Sequence, residues 1–390
     1  MVADLTGHAP AAEPAAAGDW PFSPAACPRL VLKIGSALLV DACGEIRRDW
    51  LAGMVADVAA AHAAGQRIAI VSSGAIALGA RRLGLAKGGR ASLEDAQAAA
   101  ATGQIALSHA WAALLGAKGL TAAQMLVTLD DLEDRRRYLN ASATLDRLLS
   151  LGVVPVINEN DSVATEEIRF GDNDRLAARI AQAAGAHGVI LFSDVDGLYT
   201  ANPGSDPNAR LVPEVRRVDA RIRAMADGGS ASGMGSGGMA SKLEAARIAQ
   251  GSGAHLAIAT GKVDRPLAAF AATRRGTIFT AQRGGSARKA WLAGRLTIRG
   301  RIHVDAGAVA ALEKGRSLLP AGATGVEGRF ARGDVVDIVG PGEHLLARGL
   351  VEYDAADAAS IVGRRSDALA AILGYAPRAA LVHRDHMVML

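Results

Sequence analysis

Six short runs of aliphatic and β-branched residues, at 29–34, 67–71, 122–127, 153–158, 188–192 and 255–259, recur between longer alanine-rich stretches. Within several runs the apolar residues follow one another without alternation, the pattern of parallel strands covered on both faces. The stretches between them predict helices. Leu51, Met54, Val55 and Val58 fall at helical spacing. Ser92 with Asp95 three positions on is an acidic variant of a capping box. Alternation of this kind predicts an α/β, doubly wound domain over the first 280 residues. Past about residue 295 the pattern changes. Strand-like runs at 295–298, 335–338 and 345–351 lie between turns such as Pro320-Ala-Gly322 and Gly340-Pro-Gly342, with a helix near Ala306–Glu313. That predicts a second, small and mainly β domain.

Composition adds limits. A chain of 390 residues, 50% hydrophobic and 21% charged, is that of a globular protein with room for two cores. No apolar run approaches the roughly 18 residues that cross a bilayer, so no membrane association is expected. Residues 1–28 are rich in Ala and Pro, lack a basic start and carry Asp4, Glu13 and Asp19. They read as a poorly ordered tail rather than a secretory signal. Cys27 and Cys43 are the only cysteines, which gives no disulfide framework and fits a reducing, cytoplasmic setting. The formal net charge is +4, yet residues 271–295 alone hold Arg274, Arg275, Arg283, Arg288, Lys289 and Arg295 with no acidic residue. Such a segment reads either as a solvated linker or as a weak nucleic-acid footprint.

Ligands of open α/β sheets bind beyond the carboxyl ends of the strands, and the polar motifs fall there. Lys33 and Gly35-Ser36 close the first run, Ser72-Ser73-Gly74 the second, Asn158-Glu-Asn-Asp161 the fourth and Ser193-Asp194 the fifth. Lys33 stands in an apolar strand, where an unpaired ammonium is costly; it either reaches solvent or faces an anion. The run Gly233-Met-Gly-Ser-Gly-Gly-Met-Ala-Ser-Lys242 has no strand before it, as a dinucleotide site requires, and its lysine does not follow a glycine as in a Walker A loop. It reads as a phosphate cradle opening a helix over 239–250, or as an idle surface loop. Gly171-Asp-Asn-Asp174 opens an amphipathic helix with Leu176 and Ile180. Asp174 there is an N-cap, or the two neighbouring Asn/Asp clusters together recognise an amino group or position Mg²⁺ and lysines. The histidines are scattered without metal-ligand spacing, and no nucleophile elbow is present.

These residues resemble the glutamate 5-kinases, a group of amino-acid kinases. The matching segments are Val31-Leu-Lys-Ile-Gly-Ser36, Val71-Ser-Ser-Gly-Ala-Ile76, Pro155-Val-Ile-Asn-Glu-Asn-Asp161, Gly171-Asp-Asn-Asp174, Gly197-Leu-Tyr-Thr200 and Ser236-Gly-Gly-Met-Ala-Ser-Lys242. Ser317-Leu-Leu-Pro320, Arg332-Gly-Asp334 and Ala371-Ile-Leu-Gly-Tyr375 resemble the PUA domain many bacterial members carry. The resemblance implies a three-layer α/β/α sandwich with a mostly parallel sheet and a small, barrel-like PUA domain. The divisions expected are a tail over 1–28, a kinase domain over 29–280, a basic linker over 281–295 and a PUA domain over 296–385.

The resemblance further implies phosphorylation of glutamate by ATP carrying Mg²⁺, with no metal held by the protein itself. Lys33, Lys242 and Asp174 would be catalytic, and Ser73, Asp161 and Asn173 would bind glutamate. Lys33, Ser193, Asp194, Ser236, Gly237, Gly238, Met239, Ala240, Ser241 and Lys242 would contact ATP. It implies proline biosynthesis with proline as inhibitor, handover to a glutamyl-phosphate reductase, and a homo-oligomer. Ala37, Ser193 and Val195-Asp196 depart from the family's usual residues, and none removes a charged catalytic group. Acetylglutamate kinases and aspartokinases lack the paired Asn/Asp motifs and the C-terminal domain. RNA binding through the PUA domain is disfavoured by its near-neutral charge.

Overall fold

Strand β1 (Arg29–Ile34) is the spine of the larger sheet because it is apolar on both faces. Leu30, Leu32 and Ile34 face one side and Val31 the other, and all four are buried. Each such side chain contributes roughly 1.5–3 kcal/mol on leaving water. A computed structural model of the chain describes residues 20–163, 172–227, 238–282, 298–375 and 377–389. Within it β1 pairs in parallel with β2 (Arg67–Ser72) and β5 (Gly188–Ser193). With β3 (Ala122–Val127), β4 (Val154–Glu159), β6 (Glu214–Val215), β7 (His255–Thr260) and β8 (Thr277–Phe279), the order is β3-β4-β2-β1-β5-β7-β8-β6. Only the β7–β8 pairing is antiparallel.

Strands β2, β4, β5 and β7 extend one residue beyond the apolar run that marked them. Ser72, Glu159, Ser193 and Thr260 continue the strand because backbone hydrogen bonding does not require an apolar side chain. Strands β6 and β8, at two and three residues, are too short to leave a periodic signal.

Two apolar layers cover the sheet. Leu30, Leu32, Ile34, Ile68 and Ile70 pack on Leu51, Met54 and Val58 of α2 (Arg48–Ala63) and on Leu107 and Trp111 of α4 (Leu93–Gly116). On the opposite face Val31, Val71, Val189 and Leu191 meet Leu176 and Ile180 of α7 (Asp172–Ala183) and Ala246 of α9 (Gly238–Gly251). Ser92 caps α4 as expected, its hydroxyl accepting the Asp95 N–H at 3.1 Å. Helix α3 (Ala75–Leu83) crosses α4 at a pair of glycines. A Cβ on Gly79 would stand 1.7 Å from the Ala99 carbonyl oxygen, and one on Gly103 1.8 Å from that of Ala75.

The tail expected over 1–28 requires correction. Residues 1–19 lie outside the described chain, but Trp20, Phe22 and Cys27 are buried. Trp20 packs edge-on against Phe22 and Phe270, with ring centroids 5.4 and 5.0 Å apart. The Gln66 amide donates to the Phe22 and Cys27 carbonyls. Aromatic burial and backbone pairing hold a segment whose composition suggested neither.

The second sheet has the order β10-β9-β11-β12-β13, formed by β9 (Ile298–Val304), β10 (Ala323–Gly328), β11 (Val335–Val339), β12 (Leu345–Val351) and β13 (Val382–Met389). Its core gathers Ile302, Leu318, Val336, Ile338, Val351 and Leu381. The strand expected at 295–298 begins at Ile298 among the described residues and continues through Arg299, Gly300 and Arg301, whose polarity hid it. The basic stretch over 283–297 lies outside the described residues.

Candidate active site

Side-chain parity along β1 decides where the chemistry sits. Lys33 shares a face with Val31, so it enters the layer of α7 and α9 rather than solvent. Its Nζ lies 2.6 Å from Asp174 Oδ1, and Lys242 Nζ from α9 lies 2.9 Å from Asp174 Oδ2. The three side chains are 9%, 8% and 1% exposed in the order Lys33, Lys242, Asp174. Asp174 is the third residue of α7 and not its N-cap, so that alternative falls away. Lys33 and Lys242 are brought together by one carboxylate from a separate element.

Burial and charge pull against each other here. Burial pushes the Asp174 carboxyl up, but the Lys33 and Lys242 ammoniums together outweigh it and hold the group below the usual carboxylate range. Burial pulls Lys33 down; Asp174 opposes that, while the like charge of Lys242 adds to it. Taking two cations and one anion out of water leaves a trio with one uncompensated positive charge. Asp194, at the end of β5, also acts favourably on Lys33. A buried excess of positive charge is costly until an anion joins it, and the site lies at the carboxyl edge of the sheet. Chain order makes this a switch point, since β2 lies on one side of β1 and β5 on the other.

A neutral polar cluster adjoins the trio. Asn173, next to Asp174, donates from Nδ2 to Ser73 Oγ at 2.8 Å and to Asn158 Oδ1 at 3.3 Å. Asn158 donates in turn to Gln104 Oε1 at 2.8 Å. Asp161, at the end of the same motif, is buried, and its charge acts on Arg90. Ser73 precedes Gly74, which has φ +108° and begins α3 from a conformation that side-chain-bearing residues rarely adopt. Ser193 Oγ donates to Asp194 Oδ1 at 3.0 Å. Gly238, Met239, Ala240 and Ser241 form the first turn of α9, so the helix start expected at 239 begins one residue earlier. Ser236, Gly237 and Gly171 lie outside the described residues.

Residues 28–260 match the amino acid kinase family, and residues 300–373 match the PUA domain. The glutamate 5-kinase of Sphingopyxis alaskensis is 72% identical over 95% of this chain and 99% of its own length. The chain belongs to the glutamate 5-kinase group of the amino acid kinase family. Glutamate 5-kinases of Zymomonas mobilis and Novosphingobium aromaticivorans are 66% and 62% identical, over 95% and 93% of this chain and 93% and 96% of theirs. The fold follows the family: a large, mostly parallel α/β sheet followed by a separate β-rich PUA sheet.

For this amino acid kinase the structure brings together Lys33, Asp174 and Lys242, and beside them Ser73, Asn158 and Asn173, all of which the sequence motifs had marked; Gln104 behind them was not marked. Gln104 was absent from the candidates although it is buried. The signal was present: Ala100, Gly103, Gln104, Leu107 and Trp111 form the buried stripe of α4, and one member is polar. Among the described residues no helix is long and apolar enough to cross a membrane. None of their His, Cys, Asp and Glu residues gather in threes around a possible metal, and both Asp174 oxygens face lysines.

Proposed function

We propose that this chain phosphorylates the side-chain carboxylate of L-glutamate with ATP, giving L-glutamyl 5-phosphate and ADP. The observation that carries the reading is the buried trio of Lys33, Asp174 and Lys242, which holds a surplus positive charge beside a cluster of neutral amide and hydroxyl groups. Glutamate's carboxylate, with an ordinary pKa near ~4.3, is already ionised at neutral pH. Attack on the γ-phosphorus therefore needs no general base, and none is required of the chain's histidines. The difficulty is electrostatic, because an anion must approach a polyanion.

Lys33 and Lys242 would offset charge on the transferring oxygens, and Asp174 would hold both ammoniums in place through its two oxygens. Mg²⁺ carried on the ATP phosphates would supply further cationic charge. Ser193, Asp194 and residues 236–242 would line the nucleotide side, while Ser73, Asn173 and Asp161 would hold glutamate. We assign the kinase domain to 20–280, which adds the packed segment from Trp20 to the expected 29–280, and the PUA domain to 296–385, joined by a basic linker over 281–295. The reaction would open proline biosynthesis, with proline competing near the glutamate pocket. Its acyl phosphate product is labile in water, which favours direct handover to a glutamyl-phosphate reductase. A homo-oligomer built on the kinase domain and a cytoplasmic setting complete the reading.

One experiment tests the core of it. ADP release is followed with ATP·Mg and, in parallel, glutamate, aspartate and N-acetylglutamate. Glutamate alone should turn over, and addition of proline should raise the apparent KM for glutamate. Turnover of N-acetylglutamate or aspartate in its place would reject the assignment.

A further inference from the structure

Arg332-Gly-Asp334 is a PUA motif that phosphoryl transfer leaves unused. Two of its residues build the turn that leads into β11. Gly333 has φ +91°, and Asp334 Oδ2 accepts the Ala331 N–H at 2.8 Å. Arg332 lies beside Glu352, a buried carboxylate. Glu352 is already engaged. Its Oε2 accepts from Arg378 Nη1 at 3.0 Å, and its Oε1 lies 3.3 Å from His386 Nδ1.

Arg332 Nε stands 3.8 Å from Glu352 Oε2, near enough to feel its charge but beyond hydrogen-bonding distance. Nε and Nη2 are buried and have no acceptor among the described residues. Buried donors left unpaired are unfavourable, and a guanidinium cannot shed its proton to relieve the cost. Like charges deepen the deficit. Burial disfavours the Arg332 cation most, the Arg378 charge adds to that, Glu352 opposes it, and Arg136 adds again.

Arg136 comes from the other domain. It is exposed in the first turn of α6 (Arg135–Ser150). Tyr138 and Leu139 of the same helix share an apolar cluster with Val335, Leu350 and Val388 of the PUA sheet, so the two domains pack together here. Three guanidiniums against one carboxylate leave two positive charges uncompensated, with His386 counted as neutral. A carboxylate ligand would cancel one of them. A phosphate dianion cancels both and presents several oxygens to the planar guanidinium forks. The Arg332 and Arg378 side chains are 30% and 36% exposed, which leaves them open to solvent.

We propose that Arg332 and Arg378 of the PUA domain, with Arg136 of the kinase domain, bind a phosphate dianion at the seam between the two domains. Inorganic phosphate and a phosphate monoester present the same group. The bound anion ties α6 to the PUA sheet, using residues other than the lysine trio. The inference stands apart from the function proposed above.

The test titrates the full chain with inorganic phosphate, ribose 5-phosphate, acetate and a short single-stranded RNA, by calorimetry and with Tm read alongside. Wild type is compared with Arg332→Gln and Arg136→Ala. Each variant should weaken phosphate binding on the order of tenfold, the scale of one hydrogen bond to a charged group. The rise in Tm that phosphate gives wild type should shrink in step. Acetate, which cancels one charge, should bind wild type more weakly than phosphate. Tighter binding of ribose 5-phosphate supports an ester as the occupant, and tighter binding of phosphate supports the free ion.

Wild type that binds no phosphate would overturn the proposal. So would phosphate affinity unchanged in Arg136→Ala, since the site would not span two domains. Affinity unchanged in both variants would assign the binding to Lys33 and Lys242 instead. Acetate held as tightly as phosphate would refute the charge balance. RNA bound more tightly than either phosphate, and released by Arg332→Gln, would make the arginines a nucleic-acid surface and remove the small-anion reading. If Arg332→Gln folds poorly, Arg136→Ala, a change at an exposed position, carries the comparison.

Discussion

Replacing Asp174 by Asn removes the one anion that two buried lysines share, while leaving the shape of the side chain intact. At 2.6 and 2.9 Å, and with the effective dielectric near ~20 that suits buried sites, each attraction amounts to about 6 kcal/mol before desolvation. Desolvation cancels much of this, and breaking a buried pair by removing one partner costs about 3–5 kcal/mol. On a domain of this size that lowers Tm by on the order of 10 °C. The Asn oxygen can still accept from one lysine, but its NH₂ faces the other, so the two ammoniums separate. The kcat should then fall by roughly 10²–10³, the scale for losing one preorganised electrostatic group.

Nucleotide provides the decisive readout. In the variant the lysines lose the carboxylate they share and keep only the charge of Asp194 acting on Lys33, so the phosphates of ATP supply the missing negative charge. The rise in Tm on adding ATP should therefore be larger for Asp174→Asn than for wild type, measured by scanning fluorimetry beside a coupled ADP assay. A variant with kcat within about threefold of wild type would refute the view that Asp174 organises both lysines, since preorganised charge is worth far more. An ATP-induced shift smaller than that of wild type would refute the charge argument itself.

Lys33 loses its proton below its usual 10.5, burial being the largest cause, so raising the pH removes a cation and the rate should fall along an alkaline limb with its midpoint below 10.5. Lys33→Arg should lower kcat and move that limb upward, and a rate that stays level past pH 10.5 would contradict the assignment. Asp174 contributes in the opposite direction: its depressed carboxyl supports stability above the ordinary 3.8, and that support is lost as pH falls through the lower folded value. Burial pushes the Cys27 thiol up to about 12, whereas Cys43 is exposed; one thiol should react with iodoacetamide in the native protein and two in denaturant, as read by mass spectrometry. Gly103→Ala would drive a methyl into the Ala75 carbonyl at 1.8 Å, and overpacking of this kind costs roughly 1–3 kcal/mol or more. Tm should fall accordingly; a Tm within a degree of wild type would show that the crossing yields.

The six principal parallel strands and the polar motifs at their ends were legible because both follow local rules. A strand buried on two faces must be apolar on successive residues, and a ligand-bearing loop must break that run with Gly, Ser, Asn or Asp. Trp20 and Phe22 were misread because tail-like composition says nothing of the aromatic partner, Phe270, that lies far along the chain. Gln104 was missed for the same reason. Its meaning lies in Asn158, 54 positions away, and no periodicity reports that pairing.

By itself, the sequence determined that lysines, carboxylates and amides would gather at one edge of a doubly wound sheet, because strand direction and loop position are encoded locally. It left open whether Lys33 reached water or an anion, and whether Asp174 was merely a cap. Those were decided only when β1, α7 and α9 packed together, because a charge's partner is set by distances between elements remote in the chain. The direction of the amides behind Ser73 was likewise settled in three dimensions, where the Glu159 backbone N–H donates to Asn158 Oδ1 and so orders Asn158, Gln104 and Asn173.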